Sequence, residues 1–427
     1  MLDINLIRKE PETVKKGISA KNADPKLVDD FLKIDGDWRG VVKNIDELRA
    51  EQNTASKTRD IEKAKSLKEE LKALKGMLEE LAEKRDAILY QIPNLPLADV
   101  PVGKDEKENK VIRTCGEPKK FDFKPQNHLA LGEALDIIDV KRATKVSGAR
   151  FSYLKGGAAL LEAALIQYTF ATLANEKVLK KIANSVERGY SPKPFIPVFP
   201  PVLIRPEVFT KMARLSHADK DERYYLEKDD LYLIGSAEHT LGAMHMDETL
   251  REECLPLRYI GFSTSFRREA GSYGKDTRGI IRVHQFDKLE MESFTLAENS
   301  LKEQNFIVAI QEYLMQQLGL SYQVIMICAG DMGGPDARQI DINAWMPGEG
   351  RYRETHTSDM MTDYQTRRLA TKVRRKNGAT DLAHTNDATA FAIGRMLVAI
   401  IENYQTKDGK ITVPKVLQKY VGKKVIS

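Results

Sequence analysis

The sequence predicts an α+β protein in two parts: a long antiparallel helical hairpin near the N-terminus, then a larger unit in which strands pair antiparallel and helices flank them. Two observations carry this. Between about residues 30 and 91, apolar side chains recur at alternating three- and four-residue steps on two successive stretches, the pattern of a coiled-coil stripe. Further on, residues 259–263 and 280–291 read as half-buried strands around a glycine-punctuated turn, Gly271-Ser272-Tyr273-Gly274, which predicts a hairpin.

Composition bounds the rest. A chain of 427 residues, 42% hydrophobic and 30% charged, is long enough to bury a sizeable core in two or three structural units and fits neither a disordered nor a membrane class. A net charge of +5 permits a nucleic-acid partner without demonstrating one. Cys115, Cys254 and Cys328 lie far apart with no CxxC spacing, which argues against a structural zinc site and a disulfide framework and for a reducing compartment. The N-terminus lacks the basic-then-apolar pattern of a signal peptide, and no run approaches ~18 apolar residues. The expected location is cytoplasmic.

Taken in order, residues 1–26 carry short amphipathic pieces: Ile4 and Ile7, then a helix starting at Pro11 through Val14 and Ile18. One seam follows through Ile34, Trp38, Val41, Ile45, Leu48 and Ala55, with Gln52 as its polar member. A second runs through Leu67, Leu71, Leu74, Leu78, Leu81 and Ile88, with Arg85 as its polar member. Residues 54–58 are polar and weakly helical, a fair place for the turn, and Pro93 and Pro96 end the second helix. Around the turn Lys57, Arg59, Lys63, Lys65, Lys68, Lys72 and Lys75 outnumber the acids. A basic tip on a stiff arm suits a phosphate backbone recognised by shape, and heptads equally suit a dimerisation or spacer coiled coil. Periodicity leaves both open.

Residues 94–126, rich in Pro, Asp, Lys and Gly, read as a linker, and the division falls at 1–110 and 111–427. Residues 128–146 read as a helix and a connection, and 158 to about 188 as one helix. The proline-studded segment 195–203 reads as an edge strand.

The richest stretch is the predicted hairpin itself. Arg267, Arg268, Lys275, Arg278, Arg282, Lys288 and, when protonated, His284 gather around its loop. Guanidinium forks at such a mouth match polyphosphate oxygens. A solvated surface hairpin has the same composition, and spacing alone does not separate the two.

The order of residues is more specific. Phe266-Arg267-Arg268-Glu269, a loop, then His284-Gln285-Phe286-Asp287-Lys288-Leu289-Glu290 resembles motif 2 of class II aminoacyl-tRNA synthetases, and the intervening residues 270–279 resemble the seryl-tRNA synthetase version. The resemblance extends over essentially the whole chain. The N-terminal hairpin resembles the arm that lies against the long variable arm of tRNA. Residues 147–156 resemble the strand that opens the family's catalytic domain, and residues 158–203 resemble motif 1, which forms the dimer interface in the family. Trp345 to Asp359 resembles the strand that positions metal and phosphate, and His384 to Arg395, read as opening a helix to about Tyr404, resembles motif 3.

What the resemblance implies can be stated residue by residue. The fold is a catalytic domain on an antiparallel β-sheet flanked by helices, in a homodimer. ATP is bound by Arg267, Arg268, Glu269, Arg282, Phe286, Glu354, Thr355, His356, Thr357 and Arg395, with Arg267 on the α-phosphate, Phe286 stacked on adenine and Arg395 on the γ-phosphate. Serine is held by Ser236, Ala237, Glu238, Glu290 and Thr389, with Glu238 on its ammonium and Glu290 accepting its hydroxyl. Glu354 is the implied Mg²⁺ ligand, and Arg267, Glu354 and Arg395 form the catalytic set. The loop from Ser272 to Arg278 is implied to touch the tRNA acceptor end. The implied partners are tRNA(Ser), with tRNA(Sec) as a second candidate. This sequence departs from the family pattern at Gly235-Ser236, where Pro-Thr is more usual, at Thr355 to Asp359, and at Asp387-Ala388-Thr389. His239 and His245 lack a metal-ligand pattern and are expected to be structural. Two rivals remain at this stage. One is a homologue that activates a small amino acid without charging tRNA; the other is a catalytically silent coiled-coil RNA-binding protein.

Overall fold

The computed structural model describes residues 1–215, 220–270 and 279–427. It divides into two compact units, Met1–Pro96 and Leu97–Ser427.

In the first unit, Asp3 caps the helix Ile4–Lys9 by accepting from Asn5 N, and Pro11 opens the helix Pro11–Ala20 at a position where no backbone N–H is needed. Ile7, Val14, Ile18, Val28 and Phe31 are fully buried. The buried carboxylate among them, Asp35, accepts from Arg8 at 2.7 and 2.8 Å and from Arg39 at 3.1 Å. Two long helices, Lys26–Lys57 and Ile61–Leu89, then pair along the expected seam, with Val41, Ile45 and Leu71 at its centre and Leu48, Leu74, Leu78 and Leu81 packed against them. The polar seam member Arg85 lays its guanidinium 4.3 Å from the Trp38 ring centroid, a cation–π contact that lets a charge sit in the stripe. The turn falls at residues 58–60, later than expected. Arg59 takes a left-handed conformation (φ 58°) and Asp60 caps the second helix through Lys63 N.

The second unit is organised around an eight-stranded sheet. In spatial order its strands are Lys110–Cys115, Tyr322–Met326, Arg338–Met346, Arg351–Thr362, His384–Ala392, Gln285–Thr295, Leu257–Phe266 and Ile196–Val198. Pairing is antiparallel except at the last strand, which runs parallel to Leu257–Phe266. Helix Ser300–Gln317 crosses one face. Its buried Gln304 donates to the carbonyls of Arg338 and Ser358, both at 3.0 Å, and Gln311 to those of Thr357 and Thr389 at 2.9 and 2.8 Å. These bonds tie adjacent strands to the helix that crosses them.

Six sequence expectations are corrected here. The stretch read as linker contains the edge strand Lys110–Cys115, whose side chains are almost all exposed and so show no alternation. Residues 97–110, assigned to the N-terminal unit from sequence, pack in the second; Leu97 N donates to Ala337 O at 2.9 Å. The single helix expected from 158 to 188 is two, Gly156–Leu173 and Glu176–Val186, because Asn175 caps the second through Lys177 N and Val178 N. Residues 384–392 are a strand and the helix begins only at Ile393. That strand is central and buried on both faces, so it shows no period of two. Within 147–156 the strand is confined to Tyr153–Leu154, and the second arm of the hairpin starts at Gln285 rather than 280.

Beneath the sheet, Arg258 and Glu303 form a fully buried pair at 2.6 and 2.8 Å, with the guanidinium also donating to the carbonyls of Ser191 and Lys193 and stacked 4.4 Å from the Phe306 ring. Truncating one partner strands the other charge. Arg258→Ala is expected to cost about 3–5 kcal/mol, read as a lowered urea midpoint; a change under about 1 kcal/mol would contradict the account. Among the described residues no single helix is long and apolar enough to cross a membrane.

Candidate functional site

The sheet's open face carries a cleft, and the ladder around it has three irregularities. A bulge between Leu289 and Glu290 sets Glu290 opposite Thr389, and another between Ile342 and Asn343 sets Glu354 out of simple alternation with Thr355 and Thr357. A third lies between Met360 and Thr362. Two cavities of about 200 and 490 Å³ adjoin through Ile281, Arg282, Glu354 and Arg395 and form the cleft.

Arg267 sits just past the end of the Leu257–Phe266 strand. Its Nε donates to Gly235 O at 3.1 Å and its guanidinium lies 5.4 Å from the Phe286 ring centroid. The mouth of the hairpin is closed by two bonds of 3.0 Å, Arg267 N to His284 O and His284 Nδ1 to Arg267 O. Arg282 donates to Glu269 at 2.8 Å. Arg395, in the first turn of helix Ile393–Asn403, reaches back to Glu354, 2.7 Å to Oε1 and 3.1 Å to its carbonyl. Burial alone would raise the Glu354 carboxyl, but Arg395 holds it below the usual range, and Glu354 in turn raises Arg395. Space is tight beside Arg395, where a Cβ on Gly394 would come 3.0 Å from Ile280 O.

At the other end lies a dense set of carboxyls. Ser236 donates to Glu290 at 3.3 Å and accepts from Lys288 at 3.2 Å, and Lys288 also pairs with Glu290 at 2.7 Å. Burial pushes Glu290 up to about 7, with Lys288 pulling the other way. Burial would likewise raise Glu238, but Arg214 at 2.9 Å keeps it well below the carboxylate range. Beside Gly235 the space is taken by two arginines: a Cβ there would lie 2.6 Å from an Arg223 nitrogen and 3.4 Å from Arg267 Nε.

Of the residues singled out from sequence, Arg267, Glu269, Arg282, Phe286, Glu238, Glu290, Glu354, Thr355, Thr357, Thr389 and Arg395 all line the cleft. Others do not. Arg268 turns away, donating to Arg223 O at 2.8 Å and stacking over Tyr224. His356 is buried on Phe391 and hydrogen-bonded to Thr355, and burial lowers it to about 3. Ala237 belongs to a small apolar core with Leu241 and Phe294. Residues Ser272 to Arg278 lie outside the described residues. His239 is structural as expected. It accepts from Gly235 N at 3.2 Å, and burial keeps it neutral. His245 is held between Glu248 and Tyr259, both at 2.8 Å.

Sequence reasoning missed Arg214, Lys288, Asp359 and Asp387 as lining residues. Lys288, Asp359 and Asp387 stand within the motifs, and their strand positions are the available signal. Arg214 stands outside them, and its place follows only from the fold.

Comparison with known proteins agrees with this geometry. Residues 1–96 match the seryl-tRNA synthetase N-terminal domain, and residues 222–404 match the tRNA synthetase class II core domain (G, H, P, S and T). The chain is 39% identical to the serine–tRNA ligase of Pseudothermotoga lettingae over 440 aligned positions covering all of both chains, and 41% identical to that of Dictyoglomus turgidum over 99% of this chain and 98% of the other. Among solved structures it is similar to the seryl-tRNA synthetase of Pyrococcus horikoshii complexed with ATP (38% identity, TM-score 0.90, 100% and 99% coverage). It is also similar to the cytoplasmic serine–tRNA ligase of Naegleria fowleri in complex with AMP (31%, TM-score 0.88, 100% and 99%). With both domain types present in order, and full-length relatives well above 30% identity, the chain belongs to the seryl-tRNA synthetase family.

Proposed function

We propose that this protein is a serine–tRNA ligase that activates L-serine with ATP and transfers the seryl group to the 3′ end of tRNA(Ser). The observation that carries this reading is the convergence of Arg267, Glu290, Glu354 and Arg395 on one cleft, although they are spread from position 267 to 395. In the first step a serine carboxylate oxygen bonds to the α-phosphorus of ATP and pyrophosphate leaves with the electron pair of the broken P–O bond. No general base is needed, so positioning and charge neutralisation dominate. Arg267 meets the α-phosphate, Phe286 stacks on adenine, Glu269 and Arg282 face the ribose and phosphates, and Arg395 meets the γ-phosphate. Glu238 and Ser236 orient the ammonium, and Glu290, beside Thr389, accepts the hydroxyl. The terminal ribose hydroxyl of tRNA then attacks the seryl-adenylate carbonyl and releases AMP.

Magnesium fits the donor set. Among the described residues Glu354 commits only Oε1 to Arg395, and a hard cation that binds ATP takes one or two protein carboxylates plus phosphate oxygens. When bound at Glu354 it neutralises charge on the phosphates.

The N-terminal arm is the reading's tRNA-binding element, with tRNA(Sec) as a second substrate, in the cytoplasm where charged tRNA is used. A homodimer is supported by the apolar side chains that Ile196, Phe199 and Leu203 leave exposed along the motif 1 edge segment. Replacing residues 30–91 with a short linker is expected to leave serine-dependent ATP–pyrophosphate exchange within about threefold of wild type while tRNA charging falls at least about 100-fold. Charging that survives the deletion would remove the arm from this role. Exchange that depends on glycine or alanine but not serine would favour a homologue that does not charge tRNA.

A further inference from the structure

The amino-acid end of the cleft holds more negative charge than serine can use. Glu290 and Glu292 stand two residues apart on one strand, so both project from the same face. Glu292 lies opposite Asp387, and Asp387 opposite Asp359, which sets three carboxyls in a row across the sheet. Carboxylate oxygens of Glu238, Glu290 and Asp387 come within 4.8 Å of one another. The guanidinium of Arg214 lies 2.9 Å from Glu238, 3.1 Å from Asp387, 3.7 Å from Asp336 and 3.8 Å from Asp359. Lys288 is committed to Glu290. Glu292 is fully buried, and neither of its carboxylate oxygens has a hydrogen-bond partner among the described residues.

Buried carboxyls in excess of nearby cations either take up protons or await a cationic ligand. Serine brings one positive charge, its α-ammonium, and its hydroxyl satisfies one acceptor. That leaves Glu292 with no partner among the described residues, and Asp336, Asp359 and Asp387 sharing one arginine with Glu238. Burial, then repulsion from neighbouring carboxylates, pushes Glu292, Asp359 and Asp387 well above the carboxylate range, with Arg214 pulling the other way. A ligand of serine's size carrying a second ammonium would correct it.

We propose that the cleft also binds and activates a small diamino acid, of which 2,3-diaminopropionate matches serine atom for atom with an ammonium in place of the hydroxyl. The inference rests on the serine-activating reading, because it places the substrate carboxylate against the same α-phosphate. The α-ammonium meets Glu238 and Ser236, and the β-ammonium offers three donors to Glu290 and Asp387, with Glu292 behind them. The substrate carboxylate oxygen bonds to the α-phosphorus, the bond from that phosphorus to the pyrophosphate oxygen breaks, and pyrophosphate leaves with the electron pair. Both ammonium groups keep their protons.

The test is ATP–pyrophosphate exchange by the full-length protein with L-serine, L-2,3-diaminopropionate and L-alanine, alongside metal analysis of protein dialysed against a chelator. The expected result is exchange with diaminopropionate within about tenfold of serine in kcat/KM and at least about 100-fold above alanine. Asp387→Asn and Glu292→Gln should each shift the diaminopropionate-to-serine ratio towards serine by about tenfold or more. Robust serine exchange with diaminopropionate no better than alanine overturns the inference and leaves the serine reading intact. A tightly held divalent metal at one per chain together with no diaminopropionate exchange also overturns it, since the carboxyls then serve that ion. Exchange with neither amino acid overturns the serine reading itself, and this inference with it.

Discussion

Arg267→Ala lowers kcat for serine-dependent ATP–pyrophosphate exchange by about 10³, with a much smaller rise in KM for serine. The guanidinium is fixed before substrate arrives, by Gly235 O at 3.1 Å and by the face of Phe286. A donor held in advance costs no reorganisation when negative charge builds on the α-phosphate, so its loss falls on the chemical step. Arg267→Lys recovers little, because a single ammonium cannot both bond Gly235 O and present a planar fork to phosphate. Steady-state exchange at saturating ATP measures this, and a loss under about tenfold would remove Arg267 from the α-phosphate.

Glu290→Ala lowers kcat/KM for serine by about 10²–10³ and leaves alanine nearly unaffected, so discrimination between the two collapses. The reason is burial. Glu290 is 1% exposed and already bonds Ser236 and Lys288 through Oε2, so an amino acid without a hydroxyl forgoes the further bond that a hydroxyl makes to this buried carboxylate. The same carboxyl gives a pH signature. Because burial lifts it to about 7, it is ionised above that pH and protonated below, and the protonated form is the weaker acceptor for the substrate hydroxyl. KM for serine is therefore flat above about pH 7 and rises up to about tenfold per unit below it, and Glu290→Gln flattens the profile. A wild-type profile without an inflection between about pH 6 and 8 would contradict this assignment.

The arm was legible because its seam residues are consecutive in sequence and obey one period, and the structure pairs Val41, Ile45 and Leu71 along it. The motif residues were legible only through resemblance. Arg395 alone is an ordinary helical arginine, and nothing in its spacing announces Glu354 as its partner 41 residues away. The strand His384–Ala392 was misread as helix because both its faces are buried, which erases alternation. The strand Lys110–Cys115 was lost for the opposite reason, since nearly all of it is exposed. Arg214 lay beyond reach because it joins Glu238 and Asp387 through tertiary structure, and a lone arginine after a short helix carries no local sign of burial.

A crystal structure with a non-hydrolysable seryl-adenylate mimic, its acyl phosphate replaced by a sulfamate, tests the central claim most directly. The account places the adenine on Phe286, the sulfamate within hydrogen-bonding distance of Arg267, and the seryl hydroxyl on Glu290. The analogue seated in any other cavity, or in this cleft with its seryl end away from Glu290, would contradict it.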